Sequence, residues 1–430
     1  MVWAMADVRA IEGAVRYELG RVGPLGAVVA PPYDVIDAAA RRRLLERSPH
    51  NAVAVDLPKP FDPADPDSRP SGDPYAGAAA KIREWLEAGA LVREPEPTMW
   101  ALRQDYVAPD GSRHSRHAVL ARVRVEDYEA GTVRPHERTH PGPLADRLRL
   151  TRATRLNLSP IFALATVDPW PLVEPALDPE PWGEAEDEDG TVSRVWRVAD
   201  PDALRTVSER LRDAQLLIAD GHHRYETARA YRDEVGGDGP HAYTLMALTG
   251  LDDPGLHVFP THRLLSGLPR GSERRARVER DLERHFDLVE VARDRLDPAG
   301  EPGVGVFGLY DGERALRLRL RDTAEPDSLL AGRPQPYRRL DAAILEALVL
   351  KGAAGMSDAD IDARRGLEYA KGVAEALAAV DRGEHDLAFL LRPVPVEQVR
   401  AIAATDANMP PKSTYFFPKV ITGIVFSPVG

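Results

Sequence analysis

The chain contains no cysteine. That single absence removes disulfides, thiolate zinc sites, iron–sulfur clusters and thiol nucleophiles. Lysine is scarce: among 56 basic residues only Lys59, Lys81, Lys351, Lys371, Lys412 and Lys419 are not arginine. Aromatics make up 6% of the chain. No apolar run reaches the roughly 18 residues that a membrane span requires. The start, MVWAMADVRAIEGAVRYELG, has no basic stretch followed by an apolar run and a small-residue cleavage site, so an unprocessed, cytoplasmic protein is expected. The Walker glycines and a G-x-S-x-G elbow are missing, and neither H-x-x-x-H nor H-E-x-x-H occurs at 222–226.

What remains is a chain of 430 residues, 43% apolar and 29% charged, long enough for two lobes or one core with large insertions. The net charge of −12 opposes broad electrostatic capture of nucleic acid, which needs a basic face.

Two stretches read as exposed loops, LPKPFDPADPDSRPSGDP (57–74) and DPEPWGEAEDEDG (178–190). Helical spacing runs through YAGAAAKIREWLEAGAL (75–91), and a hairpin follows in which MWALRQDYV and HAVLARVRV flank Pro109-Asp110-Gly111-Ser112. From 202 the chain alternates a helix, the short strand LLIAD (216–220), a helix and the buried strand AYTLMALTGL. Then come a charged helix (272–285) and a hairpin turning at Asp311-Gly312. YRRLDAAILEALVL and LEYAKGVAEALAAV predict helices, DLAFLL a strand, VEQVRAIAAT a helix and VITGIVF a final strand. The fold class is α+β, mixed α/β, without the βαβ series of a Rossmann sheet.

The sharpest chemical signal is LLIADGHHRYETA (216–228). A strand ends in Asp220-Gly221 and a helix opens at once. Gly221 permits a tight turn, and amides at a helix start attract anions. His222, His223 and Arg224 add donors, while Asp220 suits a Mg²⁺ ion or a proton. A second cluster, RPHERTHPGPLADRLRLTRATRLNLSPIF (134–162), packs His136, Glu137, Arg138 and Thr139 before an Arg-rich helix and then Asn157 and Ser159. Glu and His beside several Arg suit a base next to a phosphate clamp. In AVVAPPYDVID (27–37) consecutive prolines fix the direction of Tyr33 and Asp34, either as the wall of a site or as a stiff entry to a helix. In NMPPKSTYFFPKVITGIVF (408–426), Lys412, Ser413 and Thr414 offer an ammonium and two hydroxyls to a phosphate. FPTHRLL (259–265) adds His262 and Arg263. Zinc is disfavoured because His222 and His223 are adjacent and need not converge, and the His136/His140 spacing is cut by Pro141.

Taken in order, PPYDVI, HERT, NLSPIF, LIADGHHRYETA, PTHRLL and MPPKSTYFFPK resemble the domain-of-unknown-function family 1015 of bacteria and archaea, from residue 31 to 419. The ADGHHR turn is also similar to the phosphate-binding motif of the ParB/sulfiredoxin superfamily, which includes nucleotide-hydrolysing switches and kinases of free serine. That resemblance implies a ParB/sulfiredoxin-like core with large insertions over 1–270. A C-terminal α+β lobe over 271–430 would return its 408–426 segment to the active site. It further implies phosphoryl transfer from Mg-ATP or Mg-ADP to free L-serine. His222, His223, Arg224 and Lys412 would neutralise the phosphates and Asp220 would hold Mg²⁺. Glu137, or equally Asp34, would serve as base, and Arg138 or Arg263 would clamp the substrate carboxylate. Sulfiredoxin chemistry needs a cysteine and is excluded. The rival expectation is a switch or adaptor that binds CTP or ATP without acting on a metabolite. The sequence leaves the oligomeric state open, a homodimer included.

Overall fold

A computed structural model describes residues 6–58, 72–108, 111–137, 141–405 and 407–430. Arg138, Thr139, His140, the Pro109-Asp110 half of the expected turn and most of the 57–74 stretch lie outside the described residues. The fold is mixed α and β, and the chain divides into two units. The first comprises 1–135, 139–256 and 418–430; the second comprises 136–138 and 257–417. The division runs at 256/257, where the sequence places it at 270/271.

The first unit is built on a nine-stranded mixed sheet. Its path runs Val133–Arg134, Leu216–Asp220, Ile161–Ala165, Tyr243–Gly250, Arg113–Arg124, Met99–Val107, Val192–Val198 and Gly183–Glu186, with Val8–Arg9 paired to Arg113–Arg124. Tyr243–Gly250 is buried along its whole length, parallel to one neighbour and antiparallel to the other. Burial on both faces explains why Leu245–Leu248 is a continuous apolar run rather than an alternation, with Thr244 and Thr249 buried at its ends. One face of the sheet carries Met99, Val119, Ala163, Ile218 and Met246 into the main core, where Tyr225 of the helix His222–Val235 joins them.

The Leu216–Asp220 strand matches its sequence limits, and its pairing with Ile161–Ala165 slips register between Ile218 and Asp220. Such a bulge bends the strand and re-aims a side chain. Here it turns the Asp220 end of the strand into Gly221, whose φ of 96° and ψ of 30° start the 14-residue helix His222–Val235.

The second unit carries a six-stranded antiparallel sheet in the order Phe286–Glu290, Ala315–Leu320, Val306–Tyr310, Leu387–Leu390, His262–Leu265, Leu367–Ala370. A two-stranded ribbon joins His257–Phe259 to Tyr415–Phe417.

Four expectations are corrected. The 178–190 stretch is not all loop: Gly183–Glu186 forms the sheet's edge strand, with Ala185 buried. The helix expected over 367–380 starts late, because Leu367–Ala370 pairs with His262–Leu265 and the helix follows Gly372 as Val373–Asp381. YRRLDAAILEALVL breaks at Arg339, since buried Asp341 is held by Arg392 at 2.7 and 2.8 Å; the pieces are Gln335–Arg338, Asp341–Leu345 and a π-helical Glu346–Ala353. VITGIVF is no strand. Gly423 has φ 100°, and a Cβ there would stand 2.8 Å from that of Ala52, so only isolated bridges at Thr422 and Phe426 form.

Candidate functional site

Gly221 lends no side-chain acceptor to the first turn of its helix. The amides of that turn and the helix dipole therefore present partial positive charge at the strand end. Arg224 folds back over Gly221, and a Cβ at 221 would come within 2.8 Å of its Nε.

The Arg224 side chain is almost enclosed. Its Nη2 donates to Asp220 Oδ2 at 2.6 Å, and its Nη1 donates to Ser159 Oγ at 3.0 Å and to the Pro160 carbonyl. The other Asp220 oxygen, Oδ1, accepts from Lys419 Nζ at 2.5 Å. Burial alone would raise the Asp220 pKa, but Lys419 and Arg224 outweigh it and hold the carboxyl well below the usual range. Burial likewise opposes the Arg224 charge, and Asp220, Asp34, Tyr33 and Asp56 reverse that effect, leaving its pKa above the ordinary value.

These bonds redefine two roles. Asp220 is a permanent anion with both oxygens engaged by cations, so it suits neither proton abstraction nor direct coordination of Mg²⁺. No cluster of three metal-ligating side chains exists among the described residues. Arg224 acts as the internal strut of the turn, with its donors committed to Asp220, Ser159 and Pro160. His222 is buried and His223 half-buried in the first helical turn, so His223 is the more open side chain of the pair.

A polar cleft adjoins this turn, lined in part by Tyr33, Asp56, Arg147, Asn157, Ser159 and Arg224. Arg147 lies over the Tyr33 ring at 4.1 Å and donates to Asp56 Oδ1 at 3.2 Å and to Asp146 Oδ2 at 2.6 Å. Burial raises the Asp56 pKa despite Arg147. Asn157 Oδ1 accepts from the Leu245 amide at 3.1 Å, which joins the NLSP segment to the central strand. Asp34 is exposed on the Tyr33–Val35 turn.

The first unit therefore gathers Tyr33, Asp34, Asn157, Ser159 and the 220–224 turn. Sequence reasoning missed Asp56, Arg147 and Lys419 here. Lys419 had a signal, since it is one of six lysines and closes the MPPKSTYFFPK segment. Arg147 sits in the flagged Arg-rich helix. Asp56 ends the apolar VAVD run and had none.

The second unit holds the other expected residues. His136 is fully buried; its Nε2 lies 2.9 Å from Thr414 Oγ1, and its carbonyl accepts from the Met409 amide at 2.7 Å. Glu137 follows it on the chain and is half-buried. Lys412 is exposed with φ 56°, and its carbonyl accepts from Thr261. Ser413 donates to the Pro410 carbonyl at 2.6 Å. Arg263 is buried and donates to the carbonyls of Thr261 and Pro411. His262 Nδ1 accepts from the Leu391 amide at 3.2 Å, and burial, aided by Arg263, pushes its pKa down to about 4. His262, Arg263 and Ser413 thus tie the backbone of this unit together.

The family model for the protein of unknown function DUF1015 matches residues 12–343. The chain belongs to that family. No curated protein matches it. Among solved structures, a conserved hypothetical protein from Pyrococcus furiosus is similar at 14% identity and a TM-score of 0.36, covering 71% of this chain and 95% of that one. A free serine kinase in complex with AMP is similar at 13% identity and a TM-score of 0.36, covering 71% and 92%. SbnI from Staphylococcus aureus, truncated at its C-terminus, matches at 12% identity and a TM-score of 0.36, covering 70% and 85%. Among the described residues no helix is long and apolar enough to cross a membrane.

Proposed function

We propose that the chain is a nucleotide-dependent small-molecule kinase that transfers a phosphoryl group from Mg-ATP or Mg-ADP to the hydroxyl of free L-serine. The observation that carries this reading is the turn at Gly221. A helix start without a side-chain cap, braced from below by the Lys419–Asp220–Arg224 ion pairs, forms a rigid seat for phosphate oxygens. Phosphoryl transfer asks a protein chiefly for positioning and for cancellation of charge.

In this reading the first-turn amides and His223 grip the transferred group, with His222 packed behind. Asp220 and Arg224 keep the turn in shape instead of touching the metal, and Mg²⁺ enters with the nucleotide as part of the substrate. Asp34 orients the acceptor hydroxyl and takes its proton. Tyr33 and the Asp56–Arg147 pair line the acceptor's approach.

Phosphorus NMR on the purified protein tests the reading, with Mg²⁺, ATP or ADP, and a panel of hydroxyl-bearing amino acids and sugars. A new phosphomonoester signal with serine alone, reduced at least a hundredfold in His223→Ala, is the expected result. Nucleotide binding without transfer to any acceptor would replace the kinase with a nucleotide-binding switch. No binding at all would remove both.

A further inference from the structure

Asp56 closes the short helix Val53–Asp56, and its side chain is only 6% exposed. It lines the cleft beside the Gly221 turn, whose empty volume among the described residues is about 420 Å³, part of it open to solvent. One carboxylate oxygen, Oδ1, accepts from Arg147 Nη1 at 3.2 Å. The other, Oδ2, has no hydrogen-bond partner among the described residues. A buried carboxylate with an unused oxygen is a costly arrangement if stability is its only purpose.

The neighbouring cations are committed elsewhere. Arg147 donates through Nε and Nη2 to Asp146 Oδ2 at 2.9 and 2.6 Å, and its Nη1 serves the Asp56 carbonyl at 2.6 Å as well as Oδ1. One guanidinium is thus shared by two carboxylates. Arg224 is held by Asp220, Ser159 and Pro160. Burial is the main force against the Asp56 charge. Arg147 and Arg224 offset part of it, Asp34 and Asp146 add to it, and the pKa stays above the ordinary carboxyl value. An arriving cation would restore the balance in favour of the charged form.

Asn157 lines the same cleft with the opposite polarity. Its Oδ1 accepts from the Leu245 amide at 3.1 Å, which fixes the orientation of the side-chain amide. Its Nδ2 has no hydrogen-bond partner among the described residues. The cleft therefore offers one unused anionic acceptor and one unused neutral donor, and a small zwitterion with an ammonium and a carboxylate answers both.

We propose that Asp56 is the ammonium seat of an amino-acid site in this cleft, with Oδ2 accepting from the α-ammonium and Asn157 Nδ2 donating to the α-carboxylate. In this role Asp56 determines specificity and is not the base: it selects acceptors that carry an amine beside the hydroxyl. The inference deepens the kinase reading and rests on it only for the fate of the hydroxyl, since amino-acid binding itself needs no nucleotide.

Calorimetry on the full chain without nucleotide tests this with L-serine, L-alanine and 3-hydroxypropionate, the last being serine without its amine. The wild type binds both amino acids, and binds 3-hydroxypropionate at least tenfold more weakly because that ligand leaves Oδ2 unpaired. Asp56→Asn, which keeps an oxygen for Arg147, binds both amino acids at least tenfold more weakly. Should that variant not fold, the comparison of the three ligands in the wild type decides alone. Equal wild-type affinity for L-serine and 3-hydroxypropionate overturns the proposal, as do absence of amino-acid binding and an unchanged affinity in Asp56→Asn. In the phosphorus NMR assay, transfer to 3-hydroxypropionate as fast as to serine overturns it too, while leaving the kinase standing. Amino-acid binding without any transfer removes the kinase and leaves the site.

Discussion

Lys419 Nζ stands 2.5 Å from Asp220 Oδ1 across 199 residues of sequence. The pair fastens the last segment of the chain to the turn before the His222–Val235 helix. The two side chains are 19% and 16% exposed, so the penalty for removing one partner falls somewhat below the ~3–5 kcal/mol of a fully buried pair. Lys419→Met should lose about 2–3 kcal/mol in urea unfolding at pH 7. The pH dependence follows from the sign of the Asp220 shift. Its folded pKa is depressed, so its stabilisation is complete above the unfolded carboxyl pKa of about 3.9 and is lost as pH falls through the folded value. The gap between wild type and variant should stay constant from pH 8 down to about 5 and narrow only in stronger acid. A gap that titrates between pH 5 and 8 would show that Asp220 is not the anion concerned.

His262 makes the opposite demand on pH. It is buried as an acceptor for the Leu391 amide, and its pKa is pushed down to about 4. The unfolded chain protonates this histidine below about pH 6.5 while the folded one does not. Stability is therefore complete above that value and falls as pH drops toward 4. Between pH 7 and pH 5 the linked loss is about 2 kcal/mol. His262→Gln should be less stable at pH 7, and its stability should change less over the same interval. Parallel slopes for the two proteins would rule out a neutral His262 in the fold.

The ADGHHR turn was legible because local chemistry determines it: an apolar strand, a glycine and a helix start need only nearest neighbours. The strand over 216–220 and the helix after it appear as the sequence predicts. What the pattern hides is pairing. Leu367–Ala370 carries helical spacing, yet the His262–Leu265 edge claims it for the sheet. Arg224 looks like a ligand of phosphate until Ser159 and Pro160, more than sixty residues away, are seen to occupy its donors. Asp56 and Arg147 meet across 91 residues, and neither residue type is unusual for its stretch of chain. The lysine count drew attention to the C-terminal segment, but only three-dimensional contact distinguishes Lys419, paired with Asp220, from Lys412, exposed in the second unit.

Gly221 separates conformation from contact at the same position. Its φ of 96° is left-handed, and a Cβ there would meet Arg224 Nε at 2.8 Å. Gly221→Ala meets both problems: about 1–2 kcal/mol for the backbone, with the displaced strut adding to it. Gly221→Asn eases the first, since Asn tolerates the left-handed region, but keeps the second. Urea unfolding should therefore place the Ala variant about 2–3 kcal/mol below wild type, with Asn between them. If the collision with Arg224 matters, Gly221→Ala should cost less in an Arg224→Ala background than in the wild type. The double-mutant cycle should show a coupling of about 0.5–1.5 kcal/mol. Additive effects would mean that the guanidinium moves aside freely. The strut would then contribute nothing to the shape of the phosphate seat, and the role assigned to Arg224 would pass back to direct contact with the ligand.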